Sequence, residues 1–324
     1  MGEIATILQF YLVDNKHLIT MVPALTPLLM TLALTLLIVP LVRASMAVRG
    51  TTLVGAAGWS WVAWGVWLST WVADGVFHWD SAFVELGWYT AALLTVCPAL
   101  SILGAKRPGA RVWTLFVVFP FLLVFTWPLL ADWVRDATLQ SFQVELPMRL
   151  GYVLVLVMGF GNYVGTRWTL PAILIAGAAG TLMWTFEVHR IPSESDGEIS
   201  TRMIATGVLC LSGAVVWRMN SRVQPCQQGF DEFWDRYRNT FGIVWAIRFM
   251  ERVNATAEKE QWSARWELDR IAWQEVPEDE RRHTLERMEH TVRWLGRRFA
   301  DPEWLDRLIP NTTPSKSLPD ETPS

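Results

Sequence analysis

Seven apolar stretches dominate the first two thirds of the 324-residue chain and leave few folds open to it. Each is close to the roughly 20 residues that a helix needs to cross the hydrocarbon core of a bilayer. Because lipid offers no hydrogen-bond partners to the backbone, such stretches predict transmembrane helices. Their approximate bounds are 21–42, 51–73, 83–104, 112–131, 147–164, 168–187 and 201–219.

The charged residues between these stretches separate by sign. One set of alternate loops contains basic residues and no acid: Arg43, Arg49, Lys106, Arg107, Arg111, Arg167, Arg218 and Arg222. All twelve acidic residues before position 223 lie at the opposite ends of the spans. Since loops rich in Lys and Arg remain in the cytoplasm, this pattern predicts seven spans with the N-terminus outside and the C-terminus inside.

The chain is therefore predicted to be all-α, a polytopic transmembrane helix bundle with a small C-terminal cytoplasmic helical domain. We expect an outward-facing N-terminal arm (1–20), a seven-helix membrane domain (21–222), a cytoplasmic amphipathic domain (223–309) and a disordered tail (310–324). The last two segments hold 34 of the 59 charged side chains, which favours this division. The expected location is the bacterial inner (plasma) membrane.

The cytoplasmic domain is predicted to begin with an amphipathic helix of about seven turns over residues 230–260, with Gly242 as its weak point. Residues 262–276 have no clear period and are interpreted as an extended connector. A second helix is expected from Pro277 and a short third one from Asp301–Pro302. The apolar face of the first helix is predicted to bind a protein partner through Phe233, Trp234, Tyr237, Phe241 and Trp245.

The second span is rich in tryptophan, a residue that occurs 20 times in the chain. At 100° per residue Trp64, Trp67 and Trp71 lie within about 60° of one another, and Trp61 lies some 60° further round. Two interpretations are open. This face packs against small-residue helices, with Gly159, Gly161, Gly177 and Gly180 opposite, or it lines a groove for a haem, a quinone or a lipid tail.

The segment WGVWLSTWVAD, which begins at Trp64, resembles the tryptophan-rich signature of haem-handling cytochrome c assembly proteins. Trp64, Gly65 and Trp67 match the opening of that signature, whereas the acidic residue does not follow in register. The resemblance implies a haem site at an outward-facing loop between flanking histidines.

A cluster of potential ligands is predicted at the outer ends of the second and sixth spans, formed by His78, Asp80, Glu187 and His189. Imidazole and carboxylate groups can bind zinc or manganese, and two histidines can hold a haem. The alternative is that these are solvated polar residues of outward loops, since no fixed metal-binding spacing is present.

Several functions are disfavoured by residues that the spans lack. No lysine occurs in a span, which excludes a retinal Schiff base, and no acid or base lies at a span centre to mark an ion path. Asn162 is the most polar residue well within a span. The net charge of −3 gives no general attraction to nucleic acid, so the expected surroundings are the lipid bilayer and a protein partner.

We therefore expect a non-catalytic accessory, scaffold or assembly subunit that has no cofactor and binds a protein partner through its cytoplasmic helices. The alternative is an outward-facing membrane enzyme or a haem- or lipid-handling protein. That alternative uses the tryptophan groove and the His/Asp/Glu cluster, with haem or zinc as cofactor.

Overall fold

A computed structural model describes residues 25–77, 79, 81–135, 144–186, 195–221 and 229–309. The N-terminal arm and the C-terminal tail predicted from sequence lie outside these ranges. Seven helices fall on the seven apolar stretches: α1 (Leu25–Ala47, with a turn at Leu37), α2 (Val54–Gly75), α3 (Ser81–Leu103), α4 (Ala110–Trp113, a π-helical turn Thr114–Val118, and Phe119–Arg135), α5 (Leu146–Gly161), α6 (Thr169–Trp184) and α7 (Ser195–Asn220).

Within the described part of the chain, four helices are long and apolar enough to cross a membrane, as expected of a membrane protein. They are α1 and segments of α3, α4 and α7. Helices α5 and α6 are apolar but have only 16 residues each. Helix α2 has 22 residues and is not among these four.

Helix α3 is the centre of the bundle and packs against α2, α5 and α6. Its residues Trp88, Tyr89, Ala92 and Cys97 are fully buried. The outer helices instead expose large apolar side chains, as is expected of a surface that meets lipid tails. On α1, α4 and α5 these include Leu28, Leu32, Leu115, Phe116, Leu123, Leu154 and Val157.

The C-terminal part of the chain forms a second hydrophobic core, to which Leu53 and Ala105 of the preceding bundle also belong. It contains α8 (Phe230–Phe241), α9 (Ile243–Lys259), α10 (Glu278–Gly296) and α11 (Pro302–Asp306). Between α9 and α10 an antiparallel hairpin pairs β1 (Ala264–Trp266) with β2 (Ile271–Trp273). Helices α10 and α11 begin where the sequence predicts them.

Two expectations for this domain differ from the structure. The predicted seven-turn helix is two helices, because Gly242 between α8 and α9 has φ +82°, which a helix cannot accommodate. The predicted connector is the β1–β2 hairpin, in which Trp266 pairs with Ile271. The break at Gly242 is fixed by contacts with a distant segment, whereas the hairpin pairs residues close in sequence that have no clear strand period.

Candidate functional site

The tryptophan face of α2 joins neighbouring helices through hydrogen bonds of its indole nitrogens. Toward the start of the helix, Trp61 Nε1 donates to Ser45 Oγ at 3.0 Å, and Trp64 Nε1 donates to the Leu34 carbonyl at 2.8 Å. Both acceptors belong to α1. These two rings are partly buried and hold α1 against α2.

The other two predicted groove residues lie in the interior of the bundle. Trp67 and Trp71 are each 1% exposed. Trp67 Nε1 donates to Thr95 Oγ1 of α3 and Trp71 Nε1 donates to Thr206 Oγ1 of α7, both at 2.9 Å. The four tryptophans therefore contact α1, α3 and α7. Their use in ligand binding stays a prediction.

The glycines that were expected to pack against the tryptophan face of α2 have other neighbours where close contacts are present. A Cβ built on Gly159 would lie 3.0 Å from Ala99 of α3, and one on Gly180 would lie 3.6 Å from Leu156 of α5. A Cβ on Gly161 or Gly177 would meet no atom within 4 Å. Trp67 and Trp71 instead contact Trp88 and Thr95 of α3 and Thr206 of α7.

A third tryptophan, Trp88 of α3, completes an aromatic cluster with the buried pair. Its ring centroid lies 5.7 Å from that of Trp67 and 5.0 Å from that of Trp71, both edge to face. The indole nitrogen of Trp88 is buried and makes no hydrogen bond with any described residue. The cluster lies late in α2 and early in α3, at the end of the bundle remote from the C-terminal domain.

Two buried arginines lie at the same remote end, and no sequence pattern marks them. Arg202 of α7 is 7% exposed and its Cζ lies 5.7 Å from the Trp88 ring centroid. Arg149 of α5 is 5% exposed and lies 5.1 Å from the Trp184 ring centroid. Their position at span ends suggests loop residues, so only the packing of α5 and α7 identifies them as interior cations.

The predicted ligand cluster, His78, Asp80, Glu187 and His189, lies outside the described residues. Among the residues that are described, no group of three or more His, Cys, Asp or Glu side chains is close enough to hold a metal ion. A haem or zinc site at this end of the molecule stays a prediction.

The five residues predicted to bind a partner are buried within the C-terminal domain. Phe233, Trp234, Tyr237, Phe241 and Trp245 are 0–7% exposed. Trp234 packs edge to face on Trp266 of the hairpin, with ring centroids 4.9 Å apart. The apolar face thus packs on α9, α11, the hairpin and Phe299 between α10 and α11. Partner binding by these five side chains stays a prediction.

Asn162, the residue that follows α5, connects the membrane helices to the break between α8 and α9. Its Nδ2 donates to the Phe241 carbonyl at 3.1 Å, and its Oδ1 accepts from the Val244 amide at 2.9 Å. Its own carbonyl accepts from the Ile243 amide at 2.7 Å. One buried residue thereby satisfies the last carbonyl of α8 and two of the unpaired amides that begin α9.

Two further loops pair with the C-terminal domain through backbone hydrogen bonds. In the α1–α2 loop, the Thr52 amide donates to the Phe299 carbonyl at 2.8 Å, and the Gly50 carbonyl accepts from the Asp301 amide at 2.7 Å. In the α3–α4 loop, the Arg107 amide donates to the Arg298 carbonyl at 2.7 Å. The side chains of Arg107 and Asp301 also form an ion pair at 2.6 Å between the α3–α4 loop and the C-terminal domain.

The α5–α6 loop makes a second set of contacts beyond Asn162. The Arg167 amide donates to Asn239 Oδ1 at 3.1 Å, and the Tyr163 hydroxyl donates to the Thr240 carbonyl at 3.3 Å. Burial lowers the pKa of the Arg167 guanidinium, although the Asp235 carboxylate acts in the opposite direction. Loops α1–α2, α3–α4 and α5–α6 therefore all contact one face of the same domain.

Comparison of the chain with family models, with curated proteins and with solved structures finds no match.

Proposed function

We propose that this chain is a seven-span protein of the bacterial inner membrane, with its N-terminus outside and its C-terminal domain in the cytoplasm. In this proposal it acts as a non-catalytic accessory, scaffold or assembly subunit that presents the C-terminal domain to a protein partner. The observation that carries the proposal is the docking of that domain on three alternate loops of the membrane helices.

The docking supports the proposed topology. Loops α1–α2, α3–α4 and α5–α6 are separated by pairs of helices, and all three contact the C-terminal domain. This is expected if the odd and even helices run in opposite directions across a membrane. These loops carry Arg49, Lys106, Arg107 and Arg167 and no acid, which favours the cytoplasmic side for the face they share.

The docking also supports a scaffold role, because the domain is held at several separate points. Backbone pairs at Thr52, Arg107 and Asp301 and the Asn162 contacts act together, so the domain has little freedom to pivot. A rigid platform reduces the entropy cost of binding a partner. Its aromatic residues stabilise the platform from within.

The surface best suited to a partner is the exposed surface around Trp294, near the end of α10. Trp294 is 53% exposed there, and the guanidinium carbon of Arg298 lies 4.7 Å from its ring centroid. Tryptophan and arginine are the residues most enriched among those that dominate binding energy at interfaces. We expect the partner to contact this pair.

Photo-crosslinking in intact cells tests this role. Benzoylphenylalanine at position 294 should give one discrete protein adduct, whereas the same probe at the exposed position 252 of α9 should give none. Loss of the chain should also lower the membrane level of the crosslinked protein. Absence of an adduct at position 294, or an unchanged level of its protein, would contradict the scaffold role.

Reporter fusions test the topology separately. A phosphatase that is active only outside the cytoplasm should be inactive when fused after Arg107 and active when fused after Asp196. The same activity at both sites would contradict the seven-span arrangement.

A second candidate is an outward-facing protein that handles haem or a lipid, and the buried cluster of Trp67, Trp71 and Trp88 favours it. The indole nitrogen of Trp88 is buried in this cluster and makes no hydrogen bond with any described residue. An absorption spectrum and analysis for zinc, iron and manganese in the purified protein test it. A Soret band or stoichiometric metal that is lost in His78→Ala or His189→Ala would favour this candidate, and a blank result would favour the scaffold.

A further inference from the structure

A cleft of about 760 Å³ opens at the seam between the membrane helices and the C-terminal domain. Its lining includes Leu103 at the end of α3, Met158 near the end of α5, Lys106 of the α3–α4 loop and Arg248 of α9. The apolar lining comes from Leu103, Trp113 and Met158 of the bundle helices and from Val244 and Trp245 of α9. The cationic lining comes from Lys106 and Arg107 of the α3–α4 loop and Arg248 of α9, so apolar and cationic side chains meet in the cleft.

Two tryptophans form fixed walls of the cleft. Trp113 Nε1 donates to the Leu100 carbonyl at 2.8 Å, and Trp245 Nε1 donates to the Ile102 carbonyl at 2.9 Å. Both acceptors lie in the last turn of α3, which fixes the two indoles relative to each other. Indole rings favour the headgroup level of a bilayer, where one part of the ring meets apolar groups and its N–H meets polar ones.

Two of the cations that line the cleft are available to an anion. Lys106 and Arg248 are exposed, and no described carboxylate lies within ion-pair distance of either. Arg248 instead lies over the Trp245 ring, with its Cζ 5.1 Å from the centroid. Arg107 also lines the cleft but is paired with Asp301 at 2.6 Å.

We propose that this cleft binds an anionic phospholipid, with the headgroup phosphate between Lys106 and Arg248 and an acyl chain along Leu103 and Met158. Basic pockets between membrane helices on the cytoplasmic side are suited to such headgroups. Met158 is exposed on α5, which gives an acyl chain a route into the bilayer. The choice of the inner leaflet rests on the topology under Proposed function, whereas the cleft and its chemistry do not.

The bound lipid would link the two parts of the molecule. Lys106 belongs to a loop of the membrane helices, and Arg248 belongs to the second turn of α9 in the C-terminal domain. A phosphate that contacts both adds charge-assisted hydrogen bonds across the seam. We therefore infer that anionic lipid strengthens the docking of the C-terminal domain.

Native mass spectrometry and thermal unfolding of the full chain in neutral detergent test the proposal. The probes are phosphatidylglycerol, phosphatidylcholine and soluble glycerol 3-phosphate at matched concentrations. We expect phosphatidylglycerol alone to remain bound and to raise the unfolding temperature. In Lys106→Gln/Arg248→Gln its apparent affinity should fall about tenfold or more, because two phosphate-binding charges are lost.

A charge-matched control is Lys259→Gln/Arg282→Gln, which removes one lysine and one arginine from exposed positions outside the cleft. It should retain phosphatidylglycerol within about twofold of the unsubstituted chain. An equal loss in both double variants would overturn the site, since only total charge would matter. Equal protection by glycerol 3-phosphate would overturn the lipid as ligand and indicate a phosphate site.

Equal retention of phosphatidylcholine would overturn the requirement for an anionic headgroup. If the double variant does not fold, the single variant Arg248→Gln gives the same comparison against Arg282→Gln. Because the measurement is made in detergent, it does not depend on orientation. The fusions after Arg107 and Asp196 can therefore contradict the topology while lipid binding is observed. Equally, they can support the topology while lipid binding is absent, so the two failures are distinguishable.

Discussion

Asn162 and Gly242 lie so close together that a side chain on Gly242 has no room. A Cβ built there would fall 2.2 Å from Asn162 Nδ2, and Gly242 also has φ +82°. The close approach lets the Asn162 amide reach the Phe241 carbonyl and the Val244 amide on either side of the glycine. This pair fixes where the C-terminal domain meets the end of α5.

Gly242→Ala should therefore destabilise the docked domain by about 2 kcal/mol or more, from both the positive φ and the overlap with Asn162. Hydrogen exchange at the Ile243 and Val244 amides should rise with it. Gly65→Ala is the control, because Gly65 is within α2 and its Cβ would meet no atom within 4 Å. Equal effects of the two substitutions would contradict the role of the close contact.

Asn162→Ala should cost roughly 2–3 kcal/mol, because it leaves one carbonyl and one amide of the helix break without partners. Exchange should increase at Val244 and remain unchanged in the hairpin. Asn254→Ala is a matched control, since Asn254 makes the same pair of contacts to the Trp266 amide and carbonyl. Asn254→Ala should increase exchange at the Trp266 amide instead. Increased exchange at Val244 in both variants would contradict a local effect of the Asn162 hydrogen bonds.

Tyr237→Phe should leave the domain as stable as before or more stable by up to about 1 kcal/mol. The Tyr237 hydroxyl is buried and makes no hydrogen bond with any described residue, so its removal ends a desolvation cost. Denaturant unfolding at neutral pH measures the effect. A loss of stability would show that the hydroxyl has a partner that the packing does not reveal.

The same residue predicts an alkaline response. Burial raises the pKa of Tyr237 well above its usual value, so the folded domain holds the proton more tightly than the unfolded chain does. Stability from this group is present below pH ~10, the unfolded pKa, and is lost as pH rises above it. Tyr237→Phe should reduce the steepness of that alkaline loss. An unchanged slope would indicate that other groups cause it.

The ion pair between Arg107 and Asp301 should contribute little, although it joins the α3–α4 loop to the C-terminal domain. Both side chains are 44% exposed, and exposed pairs typically contribute ~0–1 kcal/mol. Asp301→Asn should change the free energy of unfolding by less than about 1 kcal/mol. Trp245→Phe should cost more, because it removes a buried donor from the Ile102 carbonyl. The reverse order would mean that charge dominates the docking.

Trp67→Phe and Trp71→Phe distinguish packing from a ligand groove. Each removes a buried hydrogen bond and ring area, so each should lower the stability of the bundle by about 1–3 kcal/mol. Thermal unfolding in detergent measures this loss of stability. The control variant is Trp59→Phe, because Trp59 is partly exposed. Unchanged stability together with loss of a bound chromophore would favour the groove.

Several features of the fold follow from local patterns and were predictable. The apolar stretches predict the positions of α1 to α7, because a span of helix satisfies its own backbone. Pro277 and Asp301–Pro302 predict the starts of α10 and α11, because proline is favoured at the beginning of a helix. The seven-span topology itself stays a prediction.

The candidate site was less accessible to sequence reasoning. The spacing of Phe233, Tyr237, Phe241 and Trp245 indicates a face that is hidden, but an amphipathic pattern does not identify what covers it. Arg149 and Arg202 carry no signal beyond their charge at the ends of spans. Their burial depends on which rings α3 and α6 bring beside them.

Local chemistry alone settles which segments are helical and how basic and acidic side chains alternate along the chain, since both depend on residues near in sequence. The break at Gly242, the covering of the aromatic face and the docking on the loops were decided only by folding. The reason is distance: Asn162 is 80 positions before Gly242, and Asp301 is 194 after Arg107. Contacts of that range leave no periodicity in the sequence, and only the packed chain brings the partners together.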